Sequence, residues 1–127
     1  MEMHMQVAMD VDSLENSVEA RELEAALLVR ASLMLKECQN EWGQEGHASR
    51  LEDALKFNQR LWTVFQSELM TENNPLPEEV RRNLLNLSWF VDKRTFETLA
   101  TPEVSKLNVL IDINRHIAEG LAGQAQV

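Results

Sequence analysis

Up to Ile117, every proline and glycine in the chain falls at one of three places: Gly43 with Gly46, Pro75 with Pro77, and Pro102. Both residue types interrupt helices, glycine through backbone entropy and proline through its missing donor and ring clash. The intervening stretches can therefore run as long uninterrupted segments. Four such segments fit one domain of ordinary size in 127 residues.

The apolar residues between the breaks repeat at helical spacing. From Ser17 to Glu41, Ala20, Leu23, Leu27, Ala31, Met34 and Cys38 recur at three- and four-residue steps, with Leu28, Leu35 and Trp42 in a parallel line. Ser49 and Glu52 match a capping box and predict a second helix, with the seam Leu51, Leu55, Asn58, Trp62, Phe65 and Leu69. Asn74-Pro75 or Leu76-Pro77 opens a third, helped by Glu78 and Glu79 at the positive end of its dipole. That helix carries two apolar lines, Val80, Leu84, Leu87 and Val91 on one side and Leu85, Trp89 and Phe96 on another. Thr101 and Pro102 suit the N-cap and first position of a fourth helix, seamed by Leu107, Leu110, Ile111, Asn114, Ile117 and Leu121. With no alternating strand pattern, the expected fold is all-α, a small four-helix bundle. The opening MEMHMQVAMDVD has no clear period, so residues 1–16 are expected to form a flexible segment before a single helical domain over residues 17–123.

Several kinds of chemistry lack their residues. His4, His47 and His116 lie on separate segments, Cys38 is the single cysteine, and no zinc-protease or P-loop motif or dinucleotide fingerprint is present. Neither an enzyme, a metal site nor a cofactor is expected. The 21 acidic against 12 basic residues give a formal charge of -9, which opposes phosphate backbones, so direct nucleic-acid binding is not expected either. The acidity is concentrated early, with nine acids before Trp42 against Arg21, Arg30 and Lys36. No apolar run is long enough for a membrane span and no signal-peptide pattern opens the chain, which leads to the expectation of a cytoplasmic protein without membrane insertion.

What remains is apolar surface. Leu85, Trp89 and Phe96 on the third helix, and Phe57, Leu61 and Val64 beside the second helix's seam, exceed what one buried stripe per helix requires. Either these helices are packed on two sides, or they line a groove for a partner's amphipathic helix. Asn58 and Asn114 stand mid-seam, where an amide either bonds a neighbouring helix and fixes register or catches the backbone of a bound peptide.

The segments ALKFNQRLWTVFQSEL, NPLPEEVRRNLLNLSWFV and LIDINRHIAEGL, in that order and spacing, resemble the FlaF family of flagellar biosynthesis regulators. The matching positions are Asn58, Arg60, Leu61 and Trp62, then Leu76, Pro77, Glu78, Arg81, Asn83 and Leu84, then Asn114, Ile117 and Gly120. The resemblance implies a small helical cytoplasmic protein, neither an enzyme nor a cofactor binder. It would be required for filament assembly, acting with flagellin as an export chaperone and affecting flagellin production. Partner-binding candidates are then Phe57, Asn58, Arg60, Leu61, Trp62, Val64, Leu85, Trp89, Phe96 and Asn114, and the expected partner is an amphipathic terminal segment of flagellin. The rival readings are a regulator that binds flagellin messenger RNA directly and an adaptor for another flagellar regulatory or export protein.

Overall fold

The computed structural model describes the backbone of residues 2–125 and the side chains of residues 18–123. The flexible segment expected over residues 1–16 therefore falls outside the described side chains. Four helices follow one another, α1 (Glu2–Asn40), α2 (His47–Leu69), α3 (Glu78–Ala100) and α4 (Leu107–Ala125), the last preceded by a short 3-10 turn (Val104–Lys106). Among the described residues there is no strand, and the all-α bundle is the observed fold.

The breaks act where the sequence places them, but three helix starts differ in detail. Gly46 sits in the left-handed region at φ 79°, and its carbonyl accepts from Arg50 N at 3.0 Å, so α2 begins at His47 rather than at a Ser49 cap. Arg50 holds this turn, donating to Glu45 O at 2.6 Å and pairing with the Glu41 carboxylate at 3.1 Å. Glu52 pairs with Lys56 along the helix instead of reaching back. α3 opens at Glu78 with Pro77 as its N-cap, while Asn74 Oδ1 accepts from Leu76 N at 3.0 Å in the preceding loop. Thr101 cannot open α4 because its N–H closes α3 on Glu97 O, and α4 starts only after the 3-10 turn.

α1 packs against α4 and α2, α2 carries α3 on its other flank, and α3 touches α4 only lightly. Serving two neighbours, α1 buries parts of both expected lines, Ala31 and Cys38 of one and Leu28 and Leu35 of the other. Its buried residues are Ala25, Leu28, Ala31, Ser32, Leu35 and Cys38, whereas Leu27 and Met34 are half-buried and Ala20 and Leu23 are exposed. The α2 seam holds, with Leu51, Leu55, Asn58, Trp62 and Leu69 buried and Phe65 half-buried. On α4, Leu107, Leu110, Ile111, Asn114 and Ala118 are buried, and Ile117 and Leu121 are half-buried.

The buried stripe of α3 continues the first of its two apolar lines through Val91, but small hydroxyl residues make up the rest of it. It consists of Ser88, Val91, Thr95 and Thr98. Each hydroxyl donates within the helix, Ser88 to Leu85 O at 2.6 Å, Thr95 to Val91 O at 2.7 Å and Thr98 to Arg94 O at 2.6 Å. Their polar groups are thus satisfied internally, and their small volume lets α3 lie close on α2. Leu87 packs half-buried against the core, Leu84 and Leu85 are half-buried, and the larger Val80, Trp89 and Phe96 are left exposed.

Candidate functional site

Between α2 and α4 the two seam amides meet. Trp62 Nε1 donates to Asn114 Oδ1 at 2.8 Å, and Asn114 Nδ2 donates to Asn58 Oδ1 at 2.6 Å. An indole is a donor only, so it fixes the Asn114 amide, which in turn fixes Asn58. Asn58 Nδ2 ends this chain as a buried donor without a partner. All three side chains are at most 1% exposed. Asn58, Trp62 and Asn114, with the buried Leu61, therefore belong to the interior of the bundle, Trp62 also walling a recess at one end of it. Their geometry answers the question that the sequence left open: the amides bond across neighbouring helices.

The outer candidates lie on two surfaces rather than one groove. Arg30 of α1 stacks over the Phe57 ring at 5.7 Å, so the Phe57 edge of α2 faces α1. Gln66 of the same helix donates to Asp92 Oδ2 of α3 at 2.8 Å. Nine positions at about 100° each put Gln66 on the opposite side of α2 from Phe57. Val64, one heptad beyond Phe57, shares its edge, and the antiparallel register that pairs Arg30 with Phe57 brings Leu23 level with Val64. Phe57 is half-buried there, and Leu23 and Val64 are exposed. Arg60 is exposed on α2.

On α3, Leu85, Trp89 and Phe96 form the second surface, extended by Leu99. Trp89 is 48% and Phe96 62% exposed, Leu99 is also exposed, and Leu85 is half-buried. The stripe runs about 20 Å along the helix and borders the Ser/Thr stripe that seats α3 on α2. The sequence reading missed Leu99, which follows Phe96 at the next three-residue step. It also missed Leu23 as surface, because periodicity had assigned it to the seam.

At one end of the bundle, Glu24 of α1 and Glu68 of α2 line the same apolar recess. Partial burial, then the neighbouring Glu68 charge, push the Glu24 carboxyl up to about 7, with Arg21 opposing. No sequence signal links these glutamates, which sit on different helices. Between the ordinary value of 4.5 and about 7 the folded chain holds a proton that the unfolded chain has lost. This stabilising contribution is complete below that window and is lost as pH rises through about 7. Because Glu24 is only half-buried, the effect is discounted for solvent screening to about 1 kcal/mol. Thermal melts should show the wild type losing roughly 4 °C more than Glu24→Gln between pH 5 and pH 8. Parallel pH profiles would contradict the coupling.

The segments quoted from the sequence meet in this fold: Asn58 and Trp62 from one segment bond Asn114 from another, and Arg81 donates to Leu69 O at 3.3 Å, tying α3 to the end of α2. Among the described residues no group of His, Cys, Asp and Glu is arranged to hold a metal, and no helix is long and apolar enough to cross a membrane. A family model described as flagellar protein FlaF matches residues 11–121. No curated protein and no solved structure matches the chain.

Proposed function

Because the chain belongs to the FlaF family of flagellar proteins, we propose that it is a non-enzymatic, cytoplasmic flagellin-binding protein. It covers an amphipathic terminal segment of flagellin before export and through that binding affects flagellin production. The observation that carries this reading is the exposed stripe of Leu85, Trp89, Phe96 and Leu99 on a helix whose own packing uses small Ser and Thr side chains. Large aromatics held outside a packed interface leave apolar area uncovered, and an amphipathic helix laid along them removes that area from water. Flagellin segments awaiting assembly expose a matching apolar face in this account, so both surfaces gain from pairing. The excess of acid in the first third of the chain steers a basic partner segment, a rate effect that salt weakens.

Co-purification of the full chain from cells, with identification of what is bound, tests the proposal. Flagellin recovered in near-stoichiometric amount is the expected result. Flagellin messenger RNA recovered without flagellin would replace it with direct regulation, and an export or regulatory protein as the sole bound species would replace it with an adaptor role.

A further inference from the structure

The recess beside Glu24 and Glu68 has a composition that the α3 stripe lacks. It encloses about 120 Å³ and is walled by Trp62 and Phe65 of α2, Leu76 of the α2–α3 loop, Leu84 of α3, and Ile117 and Leu121 of α4. Its polar lining is Glu24, Glu68 and Asn74. Asn74 is already committed, with Nδ2 donating to Glu68 O at 3.0 Å and Oδ1 accepting from Leu76 N. The two carboxyl groups are therefore the polar groups that remain for an occupant.

They also lack a cation. The ion pairs among the described residues engage Glu41, Glu52, Glu78, Glu97 and Glu103, and neither Glu24 nor Glu68 is in one. Arg21, one turn before Glu24, offsets part of the charge from outside the recess lining, while α3 and α4 contribute only the apolar Leu84, Ile117 and Leu121. Two acids lining one apolar recess repel each other when both ionise, and one cation placed between them would reverse that penalty. We infer that the recess is a socket for a single lysine or arginine carried among apolar residues on the partner's amphipathic helix. The aliphatic stem lies against Phe65, Leu84 and Ile117, and the charged end sits between Glu24 and Glu68. This inference rests on the proposed capture of an amphipathic helix and adds what that helix must carry.

The test is a nuclear magnetic resonance titration of the full chain with n-hexylammonium and with n-hexanol, an alkyl cation and its neutral counterpart, followed at the Trp62 indole N–H. At pH 8 the cation should bind saturably and at least about tenfold tighter than the alcohol, the order expected of a charge-assisted pair in a partly dry site. Binding the cation expels the proton of Glu24, so the preference should shrink below pH 6. Glu68→Gln should bring the two probes within about twofold. That substitution removes a like-charge contact, so its melting temperature at pH 8 should be no lower than that of the wild type, which separates loss of the socket from loss of fold. Equal affinity for the two probes, no saturable shift, or a preference that survives in Glu68→Gln would overturn the socket. Flagellin binding measured alongside separates the two ideas. Flagellin bound without any cation preference removes the socket and leaves the proposed function, whereas a cation preference without flagellin binding supports the socket and removes the flagellin reading.

Discussion

Replacing Asn114 by Ala should be among the most damaging single changes in the chain, costing about 3 to 5 kcal/mol of stability. The substitution strands two buried groups at once, the Trp62 N–H and the Asn58 carbonyl oxygen, each of which now has Asn114 as its partner. An unsatisfied buried polar group costs about 1 to 3 kcal/mol, and the volume lost at a fully buried position adds a cavity. Unfolding in urea or by heat should register this as a fall in melting temperature of well over 10 °C. Asn58→Leu provides the contrast, although its amide lies only 2.6 Å from that of Asn114. It deletes the donor that already lacks a partner and leaves one new unpaired donor on Asn114, so the polar terms nearly cancel and the net cost should stay near 1 kcal/mol. Equal losses in the two variants would mean that the donor order from Trp62 through Asn114 to Asn58 is wrong.

The direction of that chain also explains why a seam keeps two amides. Sliding α4 by one turn, about 5.4 Å, would break both bonds while leaving much of the apolar contact intact. Leucines at both positions would tolerate the slip, whereas the amides penalise it and hold α4 in one register against α2.

The helix breaks were legible because proline and left-handed glycine act through local backbone geometry, as Gly43 and Gly46 do with φ of 82° and 79°. The α2 seam was legible because its period is regular and it faces one core. The core face of α1 was legible only in part: periodicity gave two parallel lines, and two neighbours bury Leu28 and Leu35 of one with Ala31 and Cys38 of the other while leaving Leu23 exposed. α3 was the hardest, since Ser88, Thr95 and Thr98 look like surface in a sequence and Trp89 and Phe96 look like core. Periodicity reports which residues share a face, not whether anything covers it. The same limit joined Phe57 and Val64 to the α3 stripe, although they lie on the side of α2 opposite the one that faces α3.

Trp89→Ala should have the largest effect on binding. A Trp at the centre of an amphipathic-helix contact is of the type that contributes about 2 kcal/mol or more when truncated, roughly a thirtyfold loss of affinity. Trp89 is half exposed in the isolated chain, so its removal should change folding stability by about 1 kcal/mol or less. Phe96, at 62% exposure, should follow the same pattern with an even smaller change in stability. Val64→Ala, on the other side of α2, should leave affinity within about threefold of the wild type if the α3 stripe is the docking surface.

Calorimetric titration of flagellin, held monomeric, into the wild-type chain and into Trp89→Ala tests the central claim most directly, with a melting curve taken on each sample. The account predicts saturable binding by the wild type and at least a thirtyfold weaker affinity for the variant at nearly unchanged melting temperature. Equal affinity of the two proteins for flagellin would contradict it.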